Sequence, residues 1–360
     1  MIIKSHSKDY ELTFEEGFCF VAELGRIPNK LVVVDRNVLE LFKDSVFSKF
    51  AADELFPIDA LESHKCIDTA LSICEKMTTL PGKKNAVIIA FGGGIVQDIT
   101  GFAANILYRG VKWLFIPTTL LAQADSCIGS KTSLNYLQFK NLLGTFYPPD
   151  HVYVCLDFLK TLSRTDYHSG LGEVVKFNIM AGADGLELIE KDIDALLARN
   201  SGVLRSFVER SLQYKKTFIE EDEFDKGIRN LLNFAHTFGH AFEAISDYAI
   251  PHGQAVLLGM IIANRISCKR GVLSMSLLKR IEALCCKVIS IALRDEWFAV
   301  KPFVAAMSKD KKRKSANLAA VLLTNDFSLA LVQDLCEEEV EIALRDLCAL
   351  LVSNTPVVGK

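Results

Sequence analysis

The chain has 360 residues, half of them hydrophobic, with 41 Lys and Arg against 44 Asp and Glu and a formal net charge of -3. That length suffices for two domains or one large one with a substantial core, and the charge implies no basic face for nucleic acid. Mean hydropathy is +0.24, yet apolar runs such as Ala86–Phe91 and Val256–Ala263 are far too short to span a membrane. The start, Met1-Ile2-Ile3-Lys4-Ser5-His6, lacks a signal-peptide pattern. Ten cysteines are scattered without a C-x-x-C pair, and the adjacent Cys285 and Cys286 cannot easily bond each other. They read as reduced, mostly buried thiols of a cytoplasmic protein.

Taken in order, Leu31-Val32-Val33-Val34-Asp35 reads as a buried parallel strand. Asp35 sits at its carboxyl end, where open α/β sheets place ligand-binding residues. Ile67–Met77 has helical spacing. Ala86–Phe91 is a second buried strand, followed by Gly92-Gly93-Gly94 and a helical run over Ile95–Leu107. Strand, glycines, helix lets backbone N–H groups approach a pyrophosphate, although the spacing is not G-x-G-x-x-G and a structural turn explains it equally. Trp113–Ile116, stopped by Pro117, and Val152–Leu156 read as further strands. After Asp157 helical periods dominate: Leu186–Leu197, Val203–Glu220, Leu231–Ile245, Ala255–Arg270 and Leu277–Cys286. Leu318–Leu323 with Leu329–Val332 suggests a late hairpin, Glu337–Leu350 a closing helix, and Ser353–Lys360 a loose tail. The pattern predicts an α/β fold: a Rossmann-like parallel-sheet domain over 1–156 and a mostly α-helical domain over 157–360.

Three stretches carry polar groups that suit chemistry. In Arg229–His240, a helix would stack Arg229 with Asn233 and His236 with His240. Four polar groups on one face need partners once buried; the competing reading is a polar surface helix. His252 follows in Pro251-His252-Gly253. With Glu173, His236 and His252 make a two-His, one-carboxylate set of the kind that holds zinc with an open position. Glu173 lies in Ser169-Gly170-Leu171-Gly172-Glu173-Val174-Val175-Lys176, a glycine-punctuated entry to a helix, and an exposed pair with Lys176 is the alternative. Asp125–Asn141 mixes cations, amides and glycines after Pro117-Thr118-Thr119. Its donors suit a phosphorylated or carboxylated ligand, and a solvated loop is the alternative. The basic run Lys309–Lys314 reads as a solvated turn.

These segments together resemble the 3-dehydroquinate synthase family of sugar-phosphate cyclases. The resemblance is carried by Gly92–Asp98, Tyr108-Arg109-Gly110, Ile116–Ser126, Gly129–Thr132, Lys140–Gly144, Ser169–Lys176, Arg229–His240 and His252-Gly253, in the family's order. It implies NAD in the first domain, and metal and substrate in the second. Metal ligands would be Glu173, His236 and His252, around zinc, with Co2+ as the other candidate. NAD would be held by Asp35 and Asn37, by Glu62 and Lys65, by Gly93, Gly94 and Asp98, and by Thr118, Thr119, Asp125, Ser126, Lys140 and Thr161. Substrate contacts would come from Lys131, Asn141, Lys176, Lys215, Arg229, Asn233, His240 and Lys311. Arg109 would reach the phosphate in a neighbouring subunit, which implies a homodimer.

The implied reaction oxidises a ring hydroxyl with NAD, eliminates phosphate, returns the hydride, opens the ring and closes a carbocycle by an aldol step. Zinc would polarise the oxidised carbon's oxygen and His240 would relay a proton. Arg229 offers a planar bidentate partner for a carboxylate; with Asn233 it favours an acidic substrate, 3-deoxy-arabino-heptulosonate 7-phosphate, as in the shikimate pathway of aromatic amino acid biosynthesis. The sequence departs from the family's usual pattern at Gln97, Ser130, Asp225 and Gln254. Competing readings are a related cyclase for an amino or neutral sugar phosphate, a metal-dependent NAD polyol dehydrogenase, and a catalytically inactive binding module.

Overall fold

The computed structural model describes residues 1–81, 85–137, 139–308 and 318–354. The chain divides into two compact units, Met1–Ser163 with Lys216–Phe224, and Arg164–Lys215 with Asp225–Lys360. The first contains strands β1 (Ile2–Ile3), β2 (Tyr10–Glu15), β3 (Lys30–Asp35), β4 (Leu55–Ile58), β5 (Val87–Gly92), β6 (Lys112–Pro117), β7 (Lys131–Tyr136), β8 (Phe139–Phe146) and β9 (His151–Cys155). Its helices are α1 (Cys19–Gly25), α2 (Arg36–Leu41), α3 (Ile67–Thr78) and α4 (Gly94–Ile106).

One sheet has the order β1-β2-β9-β6-β5-β3-β4, with only β1 antiparallel to its neighbour. Every residue of β5 is buried, as is all of β3 except its terminal Asp35. That is why these strands read as unbroken apolar runs: a parallel sheet is covered on both faces. Val32, Val34, Ile89, Phe91, Leu114 and Ile116 share one cluster with phenylalanines from the covering segments. Each such side chain contributes roughly 1.5–3 kcal/mol on burial. The half-exposed β2 and the edge strand β4 escaped the sequence reading. Pro57 in β4 pairs beside Val34 at the sheet edge, where a missing N–H is tolerated.

The strand order turns at β3 and β5. From β3 the chain goes outward to β4 and returns on the other side as β5. Such a switch point opens a crevice at the strands' carboxyl ends, here at Asp35 and Gly92–Gly94. The segment Asp125–Asn141, for which a solvated loop was the alternative, instead runs from a wide helical turn over Ala122–Ser126 into the antiparallel hairpin β7–β8. Thr132 and Leu134 alternate inward along β7, and that period of two explains the strand.

The second unit is helical: α5 (Arg164–Met180), α6 (Ala183–Leu197), α7 (Ser201–Glu221, whose last residues belong to the first unit), α8 (His236–Ile245), α9 (His252–Lys269), α10 (Met275–Val288), α11 (Val300–Ser308) and α12 (Glu337–Asn354), with the hairpin β10 (Leu318–Leu323) and β11 (Leu329–Leu335). Helix α9 is apolar nearly all round because α5, α8, α10 and α12 enclose it. Two expectations need correction. Glu173 lies inside α5, not at a helix entry. The helix foreseen over Leu231–Ile245 is a short 3-10 turn, Ile228–Asn233, then a break, then α8. All ten cysteines are free, but only Cys127, Cys155 and Cys285 are buried, and Cys19 and Cys336 are exposed. No helix among the described residues is long and apolar enough to cross a membrane.

Arg270, at the end of α9, grips the start of α12 through a bidentate pair with Glu339 at 2.6 and 2.8 Å. The Arg270 hydrogen bonds hold the Glu339 carboxyl down at about 2, against an ordinary 4.5. A depressed carboxylate contributes stability that is present above its unfolded pKa and lost as pH falls toward its folded one. Glu339→Gln is therefore expected to cost about 1 kcal/mol at neutral pH. The gap to the wild type should shrink below about pH 4.5. Urea unfolding at neutral pH and near pH 3 checks this; an equal gap at both would discard the pairing as its source.

Candidate active site

Helices α5 and α9 cross at two glycines. A Cβ on Gly172 would lie 2.1 Å from the Gly253 carbonyl oxygen, and one on Gly253 1.7 Å from that of Ser169. No side chain fits either place. The Gly253 N–H donates to Ser169 Oγ at 3.0 Å, satisfying one of the four amides that open any helix. The crossing sets Glu173 and His252 face to face, His252 Nε2 standing 3.3 Å from Glu173 Oε1.

His236 arrives by a second close approach. Ala235 has a φ of 70°, a left-handed backbone that costs a non-glycine roughly 1–2 kcal/mol. Its carbonyl accepts from Gly239 N–H at 2.9 Å. Gly259 of α9 packs against that carbonyl, where a Cβ would stand 2.2 Å away. The kink starts α8 at His236 and places His236 Nε2 3.3 Å from the same Glu173 Oε1. Arg229 and Asn233 therefore belong to the preceding turn and do not share a continuous helical face with His236.

Ligand atoms of Glu173, His236 and His252 all lie within 4.8 Å of one another. Glu173 is fully buried and neither carboxylate oxygen accepts a well-aligned hydrogen bond. Burial opposes its charge, but the Lys176 ammonium, 2.7 Å from Oε2, and the imidazoles hold the carboxyl well below the usual range. His236 Nδ1 lies 3.1 Å from the Phe234 carbonyl, so in the neutral ring Nδ1 carries the proton and the Nε2 lone pair faces the carboxylate. Burial, with Lys176 adding to it, pushes His236 down to about 4. A neutral nitrogen and an anionic oxygen pointed at each other repel unless a cation lies between them. That orphaned pair fits a divalent ion.

Glu243 was not foreseen. Its Oε1 lies 3.4 Å from His252 Nδ1, the carboxylate–histidine arrangement that orients a metal ligand. Burial opposes a charge on His252, and Glu173 and Glu243 overcome it, raising the ring to about 10. The signal was in the sequence: His236, His240 and Glu243 fall four and seven positions apart, on one helical face. His240, exposed, has its ring 5.4 Å from that of His236 and 6.1 Å from that of His252. Lys176 is 2% exposed and donates to the Leu232 carbonyl at 3.1 Å, so the exposed-pair alternative fails. Arg229 and Lys215 are buried, 5% and 8% exposed. Asn233 donates to the Asn230 carbonyl at 2.8 Å. Lys311 lies outside the described residues.

In the first unit, Asp35 accepts from Asn37 N–H at 2.9 Å and caps α2; burial raises its carboxyl. Gly93 precedes α4, and a Cβ there would meet the Thr119 side chain at 3.0 Å. Thr118 N–H donates to the Gly92 carbonyl at 2.9 Å, and Thr161 Oγ1 to the Phe158 carbonyl at 3.2 Å. Gln97 and Ser126 exchange two hydrogen bonds, at 2.6 and 2.7 Å. Lys65 pairs with Asp98, whose carboxyl burial pushes upward against that cation. Lys140 stands 3.4 Å from Glu62. Asn141 Oδ1 accepts from Lys65 Nζ at 2.6 Å. Asp125 is half-buried, and Lys131 and Arg109 are exposed; Arg109 has a φ of 66°. Ser130 adopts a φ of 58°, the backbone a glycine takes without strain.

The family model described as 3-dehydroquinate synthase N-terminal matches residues 55–169, and the one described as 3-dehydroquinate synthase C-terminal matches 170–313. A 3-dehydroquinate synthase of Dictyoglomus turgidum is 32% identical over 85% of this chain and 86% of its own. One of Clostridium tetani is 37% identical over 81% and 78%. Among solved structures, the 2-epi-5-epi-valiolone synthase of Streptomyces hygroscopicus subsp. jinggangensis, with NAD+ and Zn2+ bound, has a TM-score of 0.84 at 24% identity, covering 96% of this chain and 98% of its own. Glycerol dehydrogenase of Schizosaccharomyces pombe shares the fold more loosely, with a TM-score of 0.62 at 14% identity over 95% and 90%.

His236→Ala is expected to abolish retention of a divalent ion through dialysis, because losing one ligand of three removes more affinity than the 10–100-fold typical of an orienting partner. Metal content per chain by plasma emission checks it, and full retention would remove His236 from the ligand set.

Proposed function

The chain belongs to the 3-dehydroquinate synthase family, and we propose that it converts 3-deoxy-arabino-heptulosonate 7-phosphate to 3-dehydroquinate and phosphate with catalytic NAD and a divalent ion, zinc in the first instance. The observation that carries the reading is the buried Glu173, held beside Lys176, with the Nε2 atoms of two imidazoles each 3.3 Å from its Oε1. When bound, NAD supplies reversible hydride acceptance and the metal ion polarises the oxygen undergoing oxidation.

The chain's own residues do the rest. Arg229 binds the substrate carboxylate with a planar fork whose desolvation is already complete, since it is buried in the free protein. Lys176 and Lys215, equally buried, hold the remaining anionic oxygens. His240, next to the His236 and His252 rings yet open to solvent, takes and returns the hydroxyl proton at a ring nitrogen. Asp35, Glu62, Lys65 and Asp98 grip the dinucleotide along the switch-point crevice, with Gly93 and Gly94 meeting its pyrophosphate.

A homodimer in which Arg109 reaches the neighbouring subunit's phosphate completes the proposal. The first unit exposes Ile106, Tyr108, Tyr136, Leu137, Phe139 and Leu142, with Leu137 81% exposed, an apolar set suited to a second copy. The free thiols suit a reducing compartment such as the cytoplasm.

With NAD, zinc and the heptulosonate phosphate, one phosphate should be released per carbocycle while NADH absorbance stays flat. Steady accumulation of NADH without phosphate would instead mark a polyol dehydrogenase. Arg229→Ala should weaken kcat/KM for this acidic substrate by roughly 2–5 kcal/mol, the cost of truncating one partner of a buried charge pair. Unchanged constants would point to a sugar phosphate without a carboxylate.

A further inference from the structure

The hairpin β7–β8 is irregular at one place. Leu134 pairs with Leu143 and Tyr136 with Phe139, so Asn135 stands opposite Lys140, Asn141 and Leu142. Bulges of this kind re-aim side chains beside functional sites. Asn141 takes a φ of 51° there, and its N–H is out of the ladder. Asn135 Oδ1 accepts that N–H at 2.9 Å. The other end of the same amide, Nδ2, donates to Glu62 Oε1 at 2.8 Å and to the Glu62 carbonyl at 3.1 Å. The Asn135 N–H donates to the Lys65 carbonyl at 2.7 Å. Every polar group of this side chain is thus spent on Glu62 or Asn141.

The orientation of Asn141 follows. Its Oδ1 receives Lys65 Nζ at 2.6 Å and Ser133 Oγ at 2.9 Å. An ammonium can only donate, so the oxygen end of the Asn141 amide is fixed inward. The Nδ2 end, on an exposed residue, is presented outward as a pair of donors for a ligand oxygen.

We propose that Asn135 is a positioning residue that ties the dinucleotide grip at Glu62 and Lys65 to the substrate grip at Asn141, so that both are set by one side-chain amide. This rests on the reading that Glu62 meets NAD and Asn141 the sugar phosphate. Order in one grip then favours order in the other, and loss of the amide loosens both.

The test uses the full-length enzyme, with NAD affinity from calorimetric titration and the sugar-phosphate KM from phosphate release. Asn135→Ala should raise the NAD Kd and the KM each about tenfold, the loss of one hydrogen bond to a charged or constrained group. Turnover should stay within about twofold, because no reacting group moves. Asn135→Asp keeps the acceptor for Asn141 N–H, loses the donor, and sets a carboxylate against Glu62. It should weaken NAD about tenfold and change KM less than about threefold. Placed in an Asn141→Ala background, Asn135→Ala should still weaken NAD but add nothing to KM, which a generally loosened fold would not reproduce. Unchanged NAD affinity in both variants, or an Asp variant indistinguishable from the Ala variant in both constants, would overturn the proposal. The NAD titration needs no turnover. A wild type that binds NAD but releases no phosphate would therefore refute the substrate reading alone, and the NAD arm would still decide on Asn135.

Discussion

The helical unit depends on α9 passing its neighbours at backbone distance. Gly253 lets it touch α5 and Gly259 lets it touch the kink before α8. These contacts have no room for even one methyl group. They bring the backbones of three helices into direct contact, and each helix carries one member of the Glu173, His236 and His252 set. A helix pair separated by ordinary side chains stands 8–10 Å apart, whereas here backbone meets backbone at Gly172 with Gly253 and at Gly259 with Ala235. The glycines exchange side-chain packing for proximity, and the enclosed, apolar α9 recovers the packing with its remaining faces.

The electrostatic arrangement follows from that proximity. Glu173 is deep enough that its charge would be costly alone. Lys176 follows it by three positions on the same face of α5 and is itself almost wholly buried. The pair keeps the carboxylate ionised without consuming Oε1, which both imidazoles approach. The left-handed Ala235 has a comparable logic. Strain of this size persists where surrounding structure over-determines it, and here Gly239 N–H and the bare flank of Gly259 do so.

Much of this was legible in the sequence, and what was hidden had physical reasons. The strands β3, β5 and β6 announce themselves because a sheet covered on both faces needs apolar side chains in every position. The two histidines four apart and the third after Pro251 do come together in the fold, with His236 and His252 both facing one Glu173 oxygen. What the spacing could not show was the turn between Asn233 and His236: the residues are acceptable in a helix, and the break comes from contact with Gly259, 24 positions beyond Ala235 in the chain. The hairpin β7–β8 was hidden because its exposed face is mixed polar and apolar, and the alternation survives only at Thr132 and Leu134. Gly172 read as part of a glycine-punctuated entry to a helix, although inside α5 it serves a crossing.

The departures from the family's usual pattern sort by whether the fold absorbs them. Gln97 locks its amide to Ser126 from both ends. Gln254, fully buried, donates to the His168 carbonyl at 3.1 Å and accepts from Ser290 N–H at 2.8 Å. A carboxylate there would oppose a carbonyl oxygen without a proton to share, so the neutral amide is the better partner in this setting. Ser130 keeps a glycine-like backbone at the junction with Lys131. None of these three is a member of the Glu173, His236 and His252 cluster. Gln97 and Gln254 therefore change hydrogen bonds made within the fold, apart from the buried charges of Arg229, Lys176 and Lys215. Arg229, Lys176 and Lys215 are 5%, 2% and 8% exposed, so the cost of taking these three charges out of water was largely met during folding and does not recur when a ligand arrives.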